Sequence, residues 1–235
     1  MPREIGPLGR GMLSKTMHWM TALAAGAFSF AIPSAALAQA SCDRATLQDI
    51  ADRYVRAQAK GSLFELPVGE WVDYRENLVM SSSATGVLSQ PMEFAWSVPL
   101  LDTAQCQVFV TGVITQPKEY LLASVVYNGF FGVNQVSTVI GVGSAAAALA
   151  QGQAEDWGEL PEARRATRPE LLAVANAHLD TLGEDIADRR YVVDEAKGAV
   201  GVFARVGGEK GPAASYTFRI EDGAVRSVHE SRSAG

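Results

Sequence analysis

Histidine and cysteine are both scarce in this chain. Its 235 residues include three histidines, His18, His178 and His229, and two cysteines, Cys42 and Cys106. No H-x-x-x-H or C-x-x-C spacing occurs, which removes the usual zinc sites. Gly141-Val142-Gly143 lacks the third glycine of a dinucleotide fingerprint. No G-x-S-x-G elbow occurs either, so a hydrolase of that type is excluded. What these absences leave is acid–base chemistry or binding without a cofactor. Positive charge is also short: 20 Lys and Arg stand against 26 Asp and Glu, a net charge of −6. An acidic chain is repelled by phosphates, which argues against nucleic acid and against an anionic membrane surface.

One apolar run stands out, and it lies at the N-terminus. Arg3, Arg10 and Lys15 precede an apolar stretch from Met20 to Ile32, followed by Pro33 and Ser34-Ala35-Ala36-Leu37-Ala38. Ala36 and Ala38 have the small-residue spacing of a signal peptidase site. At about 13 residues the run falls short of the about 20 needed to span a bilayer. Residues 1–38 therefore read as a secretory signal peptide and 39–235 as the exported domain, periplasmic or secreted. The signal carries Arg3, Arg10, Lys15 and Glu4, a net of +2, which leaves about −8 on the exported part. It also takes His18 with it. Two cysteines in an exported chain read as one disulfide, Cys42–Cys106.

The rest of the chain has α+β patterning. Asp43 caps a helix to Lys60, with Leu47, Ile50, Ala51, Tyr54, Val55 and Gln58 on its apolar face and Gly61 as its stop. Strands are expected over 71–80, 87–97, 107–115, 120–127 and 135–142. Ala145–Ala150 and the polar stretch to Arg168 read as a crossover segment. A second helix starts at Thr167 or Arg168, with Pro169 near its first position. Strands over 189–193, 199–206, 215–220 and 225–230 close the chain, the last pair turning on Asp222-Gly223. Two similar halves, about 42–142 and 167–235, each contain a helix followed by strands and a terminal hairpin.

Several segments together resemble a known family. They are Cys42–Leu47, Tyr74-Arg75-Glu76-Asn77, Leu88-Ser89-Gln90-Pro91, Leu101–Cys106, Arg190–Ala196 and Val228-His229. In order and spacing they look like a domain of unknown function of secreted fungal and some bacterial proteins, related to the NTF2-like, SnoaL-like superfamily. The resemblance implies an NTF2-like cone: helices packed on a strongly bent antiparallel sheet, with a pocket between them. It also implies cofactor-free lyases, isomerases or plain binding modules as functions. Formaldehyde-releasing lyases acting on lignin-derived dimers belong to that superfamily. Val98 stands where the fungal members carry a basic residue, and a cysteine-containing insertion before Arg189 is missing.

Within that frame His229 is the first candidate catalyst, because only histidine titrates near neutrality when unperturbed. Glu76 and Tyr74 share one face of a strand and form the second candidate group. Tyr54, Trp96, Tyr127, Asn77 and Tyr191 are candidate contacts to the substrate, a small hydrophobic or aromatic molecule. The reading is a cofactor-independent lyase or isomerase. The rival readings are an exported binding protein for an apolar ligand and a protein that self-associates through an open sheet face.

Overall fold

A computed structural model describes residues 42–234. The segment expected to be a signal peptide, with His18, lies outside the described residues. The described residues form three α-helices and ten strands. Helix α1 (Arg44–Lys60) starts at Asp43, whose carboxylate accepts from the Thr46 N–H, and ends at Gly61 with φ +65°. That left-handed conformation is one a glycine adopts without a Cβ penalty. Strands β1 (Val68–Glu76), β2 (Val79–Met80), β3 (Trp96–Asp102), β4 (Gln107–Ile114), β5 (Tyr120–Gly129) and β6 (Gly132–Gly141) make one sheet, ordered β2-β1-β6-β5-β4-β3. Helix α2 (Ala145–Ala154) and a polar loop cross to α3 (Arg168–Thr181). Thr167 and Glu170 form a capping box at its start. Strands β7 (Ile186–Asp194), β8 (Ala199–Val206), β9 (Ala213–Glu221) and β10 (Ala224–Arg232) make the second sheet, in the order β10-β9-β8-β7.

Side-chain alternation sorts these elements into layers. Val108, Val110, Val126, Val133 and Val136 face α1 and bury Leu47, Ile50 and Tyr54. Val200, Val202, Tyr216 and Phe218 face α3 and bury Leu171, Ala175 and Leu179. The opposite faces meet: Phe109, Ala123 and Val139 of the first sheet pack on Val192, Ala199 and Phe203 of the second. Helices α1 and α3 thus each cover the outer face of one sheet, and the inner faces form a third core.

Three expectations change here. The strands form two stacked sheets where one bent sheet was expected. The larger sheet is mixed, because β1 pairs parallel with β6. The four intervening strands supply the long connection that a parallel pair requires. The strand expected over 87–97 begins only at Trp96, and Val87–Ser89 is a 3-10 turn. The Val87 and Leu88 N–H groups donate to the Glu76 carboxylate and the Tyr74 hydroxyl. Those donors are lost to any ladder.

The Cys42–Cys106 disulfide ties the start of α1 to the β3–β4 turn, as expected for an exported chain. Among the described residues no helix is long and apolar enough to cross a membrane.

Candidate functional site

Tyr74, Glu76 and Tyr54 come together beneath α1. Tyr74 is buried on β1, and its hydroxyl donates to the Glu76 carboxylate at 2.8 Å. Ser81 Oγ also donates to Glu76. Tyr54 is bonded to Ser124 Oγ, which meets Thr138 Oγ1 at 2.8 Å. Burial pushes the Tyr74 phenol far above its ordinary pKa, and the neighbouring Glu76 adds to the shift. Burial raises Tyr54 as well, against the opposing hydrogen bonds from Ser124 and Thr138. Both phenols are therefore neutral hydrogen-bonding groups. Leu47, Tyr54, Tyr74 and Leu88 are all at most 2% exposed, so the space where the resemblance implied a pocket is filled. Asn77 holds the β1–β2 turn at φ +51° and accepts from the Ile140 N–H.

His229 lies elsewhere. It sits on the inner face of β10, opposite Thr217 of β9. Trp96 stacks on its ring at 4.8 Å, and Trp157 tilts over it at 5.9 Å. Its Nε2 meets the Glu155 carboxylate at 2.6 Å. Glu155 also accepts from Gln151 at 2.9 Å and from Trp157 Nε1 at 2.9 Å. Burial pushes Glu155 up, but the hydrogen bonds from Gln151, His229 and Trp157 outweigh it and hold the carboxyl below its ordinary value. Beside His229 is a cavity of about 20 Å³, enough for one water and too small for a substrate.

His229 and the Tyr74–Glu76 pair therefore do not share a site. Tyr74 faces α1, whereas His229 faces the space between the sheets, and the six-stranded sheet stands between them. The expectation of one acid–base group built from all three is corrected on that ground.

A lowered Glu155 pKa has a pH consequence. The unfolded chain binds the proton more tightly, so this contribution is fully present above the usual carboxylate pKa of about 4.3 and is lost as pH falls through the lower folded value. Glu155→Gln is expected to flatten the acid limb of the melting temperature plotted against pH between about pH 5 and 3. An acid limb as steep as the parent's contradicts the assignment.

One cavity with room for a ligand lies between the sheets, at the end remote from His229; wider recesses of about 480 Å³ and 340 Å³ lie beside Asp102 and Asp194 and beside Asn77 and Tyr120. The inter-sheet cavity measures about 300 Å³, at the small end of ligand sites of about 300–1,000 Å³. The first sheet contributes Gln105, Gln107, Val125, Tyr127, Gln135 and Ser137. The second contributes Arg190, Tyr191, Val192 and Phe203. Tyr127 and Tyr191, both flagged by sequence, meet here. The Tyr191 hydroxyl itself is donated away, to Asn176 of α3 at 2.6 Å. Arg190 is held at the rim by Asp188 at 2.8 Å. Ser137 is 4% exposed and its Oγ has no hydrogen-bond partner. A buried hydroxyl left unpaired costs about 1–3 kcal/mol, so a group inside the cavity, a water or a ligand, is needed to pair this one; Gln58, Asn134, Tyr216 and Thr217 also carry a buried polar atom without a protein partner.

Sequence reasoning missed Gln105, Gln107, Gln135, Ser137 and Phe203. Alternation assigns each to a face but does not say what covers that face. Of the remaining aromatic residues, Trp71, Phe130 and Phe131 line a separate recess of about 140 Å³ at the β5–β6 tip.

Residues 182–232 match a family model described as Domain of unknown function (DUF8021). The match spans β7–β10, and so includes Arg190, Tyr191, Phe203 and His229. No curated protein matches the chain. No solved structure matches it.

Proposed function

We propose that this is an exported binding protein for a small, largely aromatic molecule, held in the inter-sheet cleft. The observation that carries the reading is the buried, unpartnered Ser137 hydroxyl in a 300 Å³ cavity. Around it, Val125, Val192, Phe203 and the Tyr127 ring supply apolar surface, and three glutamine amides supply adaptable polar groups. That mixture of apolar wall and few polar points is what holds and orients a small ligand.

The geometry favours binding over lyase or isomerase chemistry. Proton transfer needs an acid or base within about 2.6–3.2 Å of the reacting atom. The cleft wall carries neither a histidine nor a carboxylate. His229 is bonded to Glu155, stacked on Trp96 and overlain by the tilted Trp157 ring, and Glu76 is engaged by Tyr74.

The test is a panel of phenols, aromatic acids, lignin-type dimers and aliphatic controls, followed by calorimetry and by product analysis. Saturable one-to-one binding of an aromatic member is expected, without turnover. Tyr127→Ala is expected to weaken it by about tenfold, the loss of one buried aromatic contact worth about 1.5 kcal/mol. Turnover of a panel member, or binding indifferent to Tyr127→Ala, would overturn the reading.

A further inference from the structure

The two sheets carry hairpins that are built alike. Asp102 ends β3 and pairs with Gln107, while Asp194 ends β7 and pairs with Ala199. Four residues after each aspartate the backbone turns left-handed, at Cys106 (φ +53°) and Gly198 (φ +58°). Each carboxylate reaches the other hairpin: Val193 N–H donates to Asp102 and Leu101 N–H donates to Asp194, both at 3.0 Å. The helices cross over in the same reciprocal manner. Arg44 opens α1 and pairs with Asp194 at 2.7 Å, and Arg168 opens α3 and pairs with Asp102 at 2.8 Å. These are the contacts of two units related by a local two-fold rotation. Phe109 lies against Gly201, its own counterpart, where a Cβ would stand 2.6 Å from the ring.

Strand register carries the equivalence to the cleft. Tyr127 stands opposite Gln107, and Arg219 stands opposite Ala199. Ser137 stands opposite Val125, and His229 stands opposite Thr217. Arg219 is therefore the counterpart of Tyr127, and His229 the counterpart of Ser137. The second cleft so defined is not open. The crossover segment fills it: Arg219 Nη1 donates to the Gly158 carbonyl at 2.8 Å, and His229 holds the Glu155 carboxylate. The Trp157 indole lies over His229 and donates to that same carboxylate.

We infer that the open cleft takes a bicyclic aromatic carboxylate, because an in-chain indole and carboxylate occupy its equivalent. The inference rests on the binding reading above and narrows it. In the filled cleft, the group at the Ser137-equivalent position bonds a carboxylate beside a planar ring. In the open cleft the Ser137 hydroxyl is a buried donor with no acceptor. A ligand carboxylate supplies that acceptor, and its ring packs on Tyr127 and Phe203.

The test titrates the full exported chain with indole-3-acetate, cyclohexylacetate and decanoate, followed by calorimetry and amide chemical shifts. Indole-3-acetate is expected to bind one-to-one with shifts at Ser137 and Tyr127, and about tenfold more weakly to Ser137→Ala, which loses one hydrogen bond to a charged group. Cyclohexylacetate and decanoate are expected to bind at least about tenfold more weakly than indole-3-acetate, as they lack the planar ring. Binding of decanoate in the cleft without binding of indole-3-acetate overturns the inference and leaves the binding reading standing. Indole-3-acetate binding unchanged in Ser137→Ala overturns the placement of the carboxylate. If none of the three binds, the inference fails, and the wider panel decides the binding reading by itself.

Discussion

Asp194→Ala is expected to destabilise the folded chain by about 3–5 kcal/mol. Asp194 is fully buried and accepts four hydrogen bonds: two from the Arg44 guanidinium and one each from the Leu101 and Lys197 N–H groups. Alanine removes the acceptor for all four. The two amides lose their acceptor, at about 1–3 kcal/mol for any that stays buried. Arg44 keeps Glu159 at 2.6 Å and is 29% exposed, so water recovers part of its loss. That places the effect toward the lower end of the range. Urea denaturation measures it, with Arg44→Ala and the double variant completing a cycle whose coupling term isolates the pair. A loss under about 1 kcal/mol, the size of an exposed pair, would contradict the role given to Asp194 as the link between hairpins.

Loss of the Cys42–Cys106 bond is the second large effect. The bridge closes a loop with a sequence separation of 64, which the chain-entropy account values at about 4 kcal/mol, within an observed range of about 2–5. It fixes the start of α1 against the β3–β4 turn, next to Gln105 and Gln107 of the cleft. The Cys42→Ser/Cys106→Ser variant is expected to melt at a lower temperature and to bind cleft ligands more weakly. Reduction of the parent protein is expected to reproduce the melting shift. An unchanged melting temperature on both treatments would show that α1 packing alone holds this corner.

The local structure was legible in the sequence wherever local chemistry decides it. Asp43, the stripe from Leu47 to Gln58 and Gly61 delimit α1 as observed. Asp222-Gly223 turns the last hairpin. The failures are non-local. The segment 87–97 looked like a strand because its apolar residues are β-compatible, but the Val87 and Leu88 N–H groups are taken by side chains of β1 and the Met92 N–H by the Gln58 carbonyl of α1. The stacking of two sheets is invisible to periodicity, which reports that a face is apolar and not what covers it. For that reason His229 and Tyr74 appeared to belong together, although a sheet divides them. A signal for the reciprocal hairpins was present: Asp102-Thr103-Ala104-Gln105 and Asp194-Glu195-Ala196-Lys197 share the order of an aspartate, an alanine two residues on and a long polar side chain after it. Ser137 left no such trace, because a serine in a strand signals nothing until its surroundings are known.

The central claim is that a small aromatic molecule sits between the two sheets. Its most direct test is amide chemical-shift mapping of residues 39–235 at saturation with the tightest-binding aromatic of the panel. The account predicts the largest shifts at Tyr127, Gln135, Ser137, Val192 and Phe203, with His229 and Tyr74 unmoved. Shifts centred on His229 or Tyr74, with the inter-sheet residues silent, would contradict it.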